Sequence, residues 1–305
     1  MFPRLVIATV CAGFVAAQDP SSNDPLDALR EELREARREL AELAESCPPA
    51  RTRSSGSFGV DVTTQYLFRG IPQEDRGAIA QPWFEWNLHL ADGAGAMPGW
   101  DLLLGSWNSL HDGPTGGAGS AWYESDTYLG LTATVYERLR AHVRYTAYHS
   151  PNAMFATVQE ASLGVSYADD WWLSGGLQPS VTFAFELAGQ ADAGAELGSV
   201  CELGLEPTQS LGRLGDWEFV ASLPVKVGWS LDGYYEQPDG HGDDAFGYAS
   251  AGISFAAVVP VGDGWPSPWR LEASLVHVTL GDGNRDRNGG DRNELVGTIG
   301  LSASF

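Results

Sequence analysis

From Phe58 to the end of the chain, apolar and polar residues alternate with a period of two, in segments bounded by Gly, Asp, Asn and Pro. This period places successive side chains on opposite faces of a β-strand. One segment alternates Leu139, Ala141, Val143, Tyr145 and Ala147 with Arg140, His142, Arg144, Thr146 and Tyr148. The alternation predicts that residues 58–305 form an all-β domain.

Twelve such segments occur, approximately at 58–69, 78–90, 100–109, 122–135, 138–149, 155–167, 178–188, 199–206, 217–230, 245–259, 268–280 and 294–305. Most are longer than the ~5–6 residues typical of strands in soluble sheets. They approach the ~9–11 residues that a tilted strand needs to cross a bilayer. A sheet in lipid must also close on itself, because free edges would leave backbone groups unpaired. We therefore predict a closed antiparallel transmembrane β-barrel of about twelve strands.

The composition agrees with a membrane barrel. The 305 residues carry a net charge of −22, and this acidic balance argues against nucleic acid as a partner. Beyond the N-terminus there is no apolar run of about 18 residues, which excludes helical membrane spans. Aromatic residues gather at the predicted strand ends, as in the girdles of outer-membrane barrels. They are Tyr66, Phe68, Trp122, Trp171, Trp172, Trp217, Trp229 and Trp269.

The N-terminal part of the chain has a different pattern. Residues 1–17 read as a secretory signal peptide, with Arg4 before an apolar core and a small-residue cleavage site before Gln18. Residues 18–47 are predicted to hold a periplasmic helix, because leucines and an alanine between 26 and 43 follow a coiled-coil spacing. Two interpretations stay open: a solvated helix, or a homo-oligomer formed through residues 26–43. Residues 48–57 read as a linker to a barrel that occupies 58–305.

Two short stretches resemble known bacterial sequences. The end of the chain, Thr298 to Phe305, resembles the C-terminal signal read by the barrel-assembly machinery: polar, any, Gly, two of any, apolar, any, aromatic. The candidate assembly-signal residues in it are Gly300, Leu301, Ala303 and Phe305. The run Tyr66-Leu67-Phe68-Arg69-Gly70-Ile71, followed by Gln73, resembles the start of TorF-family porins, although Pro72 replaces their usual serine. The resemblance implies an outer-membrane barrel of a kind that can form a channel, and it brings no catalytic residues with it.

The faces opposite the apolar ones are expected to line the lumen. The candidate pore-lining residues are Arg69, Glu85, Arg140, His142, Arg144, Glu160, Glu186 and Lys226. The basic row on the fifth segment has two interpretations. It creates a transverse field across a pore that orients polar solutes, or it pairs with carboxylates such as Glu160 to fill a narrow barrel.

The loop before the last strand alternates oxygen-bearing side chains, with Asp282, Asn284 and Asp286 as weak calcium candidates. The expected Gly and bidentate Glu of a calcium loop are missing, since Arg287 and Asn293 occupy those positions. We expect a solvated hairpin loop and no metal or cofactor. The six histidines have no recognisable nucleophile arrangement, so no enzyme activity and no catalytic residues are predicted.

The sequence thus predicts a protein of the bacterial outer membrane, in contact with its lipid and inserted by the barrel-assembly machinery. The favoured function is a porin-like channel for passive diffusion of small polar solutes or ions. The alternative is a structural or anchoring barrel with a plugged lumen and an oligomerising periplasmic helix.

Overall fold

The computed structural model describes residues 53–169, 173–237, 242–259 and 268–305, together with Arg34, Glu35 and Arg38, which have helical backbone. The predicted signal peptide and most of the predicted periplasmic helix lie outside the described residues. Thr52–Phe305 form one structural unit. No helix within the described ranges is long and apolar enough to cross a membrane.

Sixteen strands and two short helical segments are described. The strands are β1 Ser54–Thr63, β2 Tyr66–Phe68, β3 Ile71–Glu74, β4 Ile79–Ala91, β5 Gly99–His111, β6 Trp122–Val135, β7 Leu139–His149, β8 Val158–Tyr167, β9 Ser180–Ala188, β10 Ser199–Leu205, β11 Thr208–Leu214, β12 Trp217–Ser222, β13 Val225–Asp232, β14 Phe246–Val259, β15 Trp269–Leu280 and β16 Asn293–Ser304. A 3₁₀ helix, η1, spans Pro114–Gly119, and an α-helix, α1, spans Asp282–Arg287.

Twelve of these strands form a closed antiparallel barrel. The pairing order is β1, β4, β5, β6, β7, β8, β9, β10, β13, β14, β15 and β16, and β16 pairs back with β1. In the closing pair, Val60 lies opposite Leu301 and Thr63 opposite Thr298. The predicted fold class is confirmed: every alternating segment recognised in the sequence supplies one barrel strand. β1 begins at Ser54, inside the stretch predicted as a linker.

Pro224 divides one barrel strand into two segments near the terminus end of the barrel. β12 and β13 both pair with β14, and residues 223–224 separate them. Pro224 has no N–H to donate to a ladder, so the strand breaks there. Beyond the break, β11 and β12 form a hairpin that carries the sheet further. The sequence prediction had only a connection at 207–216, where the structure has β11.

The outer face of the barrel is apolar and exposed. Residues such as Leu104, Leu129, Val143, Leu275 and Ile299 have 47%, 50%, 52%, 48% and 62% of their surface exposed. Burying that surface in lipid removes it from water, which is the main stabilising term for such a face. The inward face of the same strands carries polar and charged residues. A closed barrel with this polarity is a transmembrane barrel of the outer-membrane type.

The two ends of the barrel differ. We call the end where β1 begins and β16 finishes the terminus end, and the other the loop end. At the loop end six connections join the strands: 64–78, 112–121, 150–157, 189–198, 233–245 and 281–292. They contain β2, β3, η1 and α1, so this end is capped by folded segments.

Candidate functional site

The first loop-end connection contains a short β-hairpin. β2 and β3 pair antiparallel, with Phe68 opposite Ile71. The two turn residues, Arg69 and Gly70, have φ values of +50° and +80°. Positive φ at both central positions is the pattern of tight hairpin turns. We call residues 66–74 the lumen hairpin.

The lumen hairpin packs against the inner wall on several sides. Tyr66 lies 5.2 Å from the Trp107 ring between centroids, on β5. Ile71 is buried against Ala184 and Val200 on β9 and β10. Leu67 packs against a buried cluster that includes Val278 on β15. Because these strands lie on different sides of the barrel, the hairpin occupies its interior.

This placement corrects part of the sequence interpretation. The first strand ends at Thr63, whereas the prediction carried it to Arg69. Tyr66 and Phe68 are therefore lumen residues and not part of an aromatic girdle. Trp122 and Trp217 are exposed on the barrel surface, each at 44%. Trp171 and Trp172 lie outside the described residues.

Arg69 is the centre of the contacts that hold the hairpin. Its Nη1 and Nη2 donate to the two carboxylate oxygens of Glu160 at 2.5 and 2.9 Å, and its Nε donates to Glu202 at 3.2 Å. Nη1 also donates to the Tyr234 hydroxyl at 2.6 Å. The Arg69 side chain is 11% exposed and Glu160 3%. A bidentate pair in such a buried setting fixes both position and orientation of the guanidinium.

A second set of hydrogen bonds fastens the end of the hairpin to the barrel rim. Glu74 accepts from the amide and hydroxyl of Thr115 at 2.8 and 2.7 Å. The Thr115 hydroxyl contacts His111 Nδ1 at 2.6 Å, and His111 Nε2 contacts the Ser109 hydroxyl at 2.7 Å. Ser109 and His111 are both 0% exposed, so this serine–histidine contact has no surface for a substrate.

The hydrogen bonds at Glu74 set its protonation. Burial acts to raise the pKa of Glu74, but the bonds from Thr115 and from the amides of Arg76 and Asp75 outweigh it and lower the pKa below its ordinary value of 4.5. The carboxylate is therefore ionised at neutral pH. It is the charged form that holds η1 and the hairpin together.

The remaining loop-end connections are tied to one another through carboxylates. Arg287 of α1 donates to Asp192 at 3.2 Å and to the Glu236 carbonyl at 2.5 Å. Asp192 also accepts from the Glu236 amide at 2.8 Å. Burial raises the pKa of Asp192. The hydrogen bonds from backbone amides and the charge of Arg287 act to lower it but do not offset burial, so the pKa lies above its ordinary value. Three separate loops thus converge above the lumen hairpin.

On the terminus side of the hairpin the lumen holds polar cavities. One of about 770 Å³ is bounded by the hairpin and lined by Gln65, Glu202, Lys226, Ser250 and Thr298 among others. A second, of about 450 Å³, lies along the basic row of β7 and also touches Asp101. A third cavity, of about 390 Å³, lies among loop-end residues, and Phe68 of the hairpin lines it as well as the first. The lumen hairpin separates the two sides.

Glu160 does not neutralise the basic row, as one of the two sequence interpretations required. Arg140, His142 and Arg144 line the second cavity. The guanidinium of Arg144 lies 4.8 Å from the centroid of the Tyr128 ring. Glu160 pairs with Arg69 instead of this row, and within the described ranges no ion pair involves Arg140 or Arg144. The row therefore borders cavity space, not a salt-bridged core.

The other candidate lumen residues have separate roles. Glu85 accepts a hydrogen bond from the Tyr128 hydroxyl at 2.9 Å. Glu186 is buried and accepts from the amides of Ala191 and Gly198 at 2.6 and 2.7 Å, so it closes the base of a loop. Lys226 lines the larger cavity. The sequence did not predict roles for Glu74, Thr115 and Tyr234, because none lies in an alternating segment. The glycine at position 70 was the available sequence signal for a hairpin turn there.

The proposed assembly residues lie on the closing strand. Phe305 exchanges two backbone hydrogen bonds with Gly56, of 2.8 and 2.9 Å. Its ring covers Gly56 so closely that a Cβ there would lie 2.3 Å from a ring atom. The ring also stacks on Phe84 at 6.5 Å. Leu301 and Ala303 alternate along the strand on the same face as Phe305, and Gly300 lies against Asp61.

The calcium candidates are engaged with arginines and backbone. The predicted solvated loop is the helix α1 and its flanks. Asp282 pairs with Arg285 and Arg292, and Asp286 pairs with Arg285 at 2.7 Å. Asn284 is buried and donates to the Gly247 carbonyl at 3.1 Å. No cluster of three metal-type ligands occurs in the part of the chain that the structure describes.

Comparisons with known proteins concern the barrel alone. No protein-family model and no curated protein matches the chain. A bacterial polysaccharide outer membrane secretin is similar at 10% identity, over 83% of this chain and 97% of that one, with a TM-score of 0.43. The translocator domain of autotransporter NalP from Neisseria meningitidis is similar at 13% identity, over 92% and 97%, with a TM-score of 0.40. The NanC porin is similar at 9% identity, over 81% and 98%, with a TM-score of 0.41.

Such similarities are too low to transfer an activity. The assignment rests on the strand pairing and on the polarity of the two faces. The chain is an outer-membrane β-barrel whose lumen is crossed by residues 66–74.

Proposed function

We propose that the protein is a porin-like channel for small polar solutes or ions, held closed at rest by the lumen hairpin. The observation that carries the proposal is the position of the hairpin, with polar cavities on its terminus side and a further cavity on its loop side. A barrel that serves only as an anchor has no need of polar cavities. We keep membership of the TorF family as part of this proposal, because the residues that resemble it form this hairpin.

The closure has the chemistry of a reversible gate. Arg69 is held by ion pairs and hydrogen bonds to wall residues, and Glu74 by hydrogen bonds to Thr115. Water can replace such partners when the hairpin moves. The basic row on β7, which borders cavity space, supports a transverse field for solutes that pass.

A permanently closed, structural barrel is the second candidate. It is favoured by the extent of the hairpin's apolar contacts, since buried Tyr66 and Ile71 anchor it on different strands. In that case the hairpin is a core element, and the predicted periplasmic helix carries the function by oligomerising through residues 26–43. No hydrolase activity is proposed under either candidate.

Single-channel conductance in planar bilayers distinguishes the two candidates. The channel proposal predicts brief openings of the wild-type protein and a several-fold higher open probability for Arg69→Ala. Arg213→Ala is the matched control, because Arg213 pairs with Glu218 on an exposed hairpin outside the lumen. A folded wild-type protein that stays insulating, together with an insulating Arg69→Ala variant, would favour the structural barrel.

A further inference from the structure

The cavity on the loop side of the lumen hairpin has an aromatic lining. Its walls include Phe68, Tyr123, Tyr148 and Phe155, and its volume is about 390 Å³. The rings form two pairs: Phe68 and Tyr148 have centroids 5.2 Å apart, and Tyr123 and Phe155 have centroids 5.3 Å apart. Four rings around one small cavity present π-faces or edges from more than one side.

One acidic side chain at this cavity has no basic partner among the described residues. Its charged lining residues are Glu124, Asp192 and Arg287. Arg287 pairs with Asp192, which leaves the carboxylate of Glu124. Glu124 is hydrogen-bonded to Tyr66 and Asp126, and among the described residues it takes part in no ion pair. Asp126, two residues further along the same face of β6, is also buried, and its Oδ1 has no hydrogen-bond partner.

The neighbouring arginine of the hairpin does not neutralise these carboxylates. Arg69 donates to Glu160 and Glu202, which use its Nε, Nη1 and Nη2. A cation that entered the aromatic cavity would therefore meet the aromatic rings and a carboxyl group that pairs with no basic side chain among the described residues. Aromatic lining combined with a negative charge is the chemistry that recognises quaternary ammonium groups.

We propose that the cavity binds small organic cations of the quaternary ammonium class. The rings contact the alkyl groups of the cation, and Glu124 supplies the charge complement. Gln73 and Gln190, which also line the cavity, can hydrogen-bond a hydroxyl or carbonyl on the same molecule. Binding at this site does not require the barrel to conduct, so it stands independently of the channel proposal.

The test is calorimetric titration of the full-length, folded barrel in a maltoside detergent, which carries no choline group of its own. Choline is the probe, and 3,3-dimethylbutan-1-ol is its uncharged isostere. We expect choline to bind at least tenfold more tightly than the isostere. Equal affinities, or no choline binding, would overturn the proposal.

Variants of Phe155 locate the site. Phe155→Leu removes a ring from the cavity wall without changing a residue of the lumen hairpin, and we expect at least threefold weaker choline binding. Phe155→Tyr retains a ring and should bind as the wild type does. Phe255→Leu is the matched control, since Phe255 is exposed on the barrel surface at 51%. Unchanged binding in Phe155→Leu, or an equal loss in Phe255→Leu, would contradict the assignment.

Discussion

Arg69 adopts a backbone conformation that is unfavourable for a residue with a Cβ. Its φ of +50° costs on the order of 1 kcal/mol. The bidentate contact with Glu160, the contact with Glu202 and the bond from the Tyr235 hydroxyl to the Arg69 carbonyl hold it there. The strain is thus offset by contacts to distant parts of the chain, which is common at functional sites.

Gly70 is required because of its positive φ and because a side chain there would clash with Tyr248. A substitution, compared with a reference glycine, separates these two effects. Its φ is +80°, and a Cβ would lie 2.6 Å from Tyr248 Cβ. Gly70→Ala should lower the free energy of unfolding by about 1–3 kcal/mol more than backbone strain alone. Gly215→Ala supplies the strain-only reference, because Gly215 has a φ of +61° with nothing within 4 Å. Urea unfolding in lipid vesicles measures the free energy of unfolding of each variant. Equal losses in Gly70→Ala and Gly215→Ala would contradict a steric contribution at Gly70.

Glu74 gives the hairpin a defined pH dependence. Its pKa is lower in the folded state than its ordinary value of 4.5, so the contribution of its bonds is full above that pH. The contribution is lost as the pH falls through the lowered folded-state pKa. We predict that hydrogen-exchange protection factors of residues 71–78 are constant from pH 7 to pH 5 and fall as the pH is lowered beyond the ordinary carboxyl value of 4.5.

Two variants check this assignment. Glu74→Gln should have low protection already at pH 7, whereas Asp75→Asn, at an exposed neighbour, should behave as the wild type. Equal protection of Glu74→Gln and the wild-type protein at pH 7 would rule out a role of Glu74 in holding the hairpin.

At the scale of elements, the closing strand depends on its last residue. Phe305 pairs with Gly56 and covers it, so this aromatic ring completes the seam between β16 and β1 at the terminus end. We predict that Phe305→Ala reduces the amount of folded barrel in membranes by several-fold, while synthesis and export continue. Phe255→Ala removes a ring of similar exposure from β14, 51% against 49%, and should assemble normally.

The measurement is the heat-modifiable fraction of the protein in isolated outer membranes. Equal assembly of Phe305→Ala and Phe255→Ala would contradict a special role for the terminal residue. It would also argue against the proposal that the barrel-assembly machinery reads this end.

Barrel strands could be predicted because their signal is local. Each has one lipid-facing and one lumen-facing side, and this alternation is written in consecutive residues. The lumen hairpin was missed because Tyr66 and Phe68 continue the alternation of β1 past Thr63. The helix α1 was missed because Asp282-Gly283-Asn284 has the composition of a turn. The contact between Arg69 and Glu160 joins residues 91 apart in sequence, and no local pattern encodes it.

At the scale of the whole molecule, the barrel encloses a polar lumen that the lumen hairpin divides. The barrel wall provides the lipid-facing surface and lines the cavities. The position of the lumen hairpin controls whether the cavities on its two sides are connected. Contacts from β5, β9, β10 and β15 hold the hairpin, so closure is a property of the complete barrel. The predicted periplasmic helix lies outside the described residues, and its oligomerisation stays a prediction.

Removing the hairpin tests the central claim most directly. Replacing residues 66–74 with a Gly-Ser linker of equal length should leave the twelve barrel strands paired, since β2 and β3 pair only with each other. Single-channel recording in planar bilayers should then give a steady conductance several-fold above the time-averaged wild-type value. A folded variant that conducts no better than the wild-type protein would contradict closure of the lumen by this hairpin.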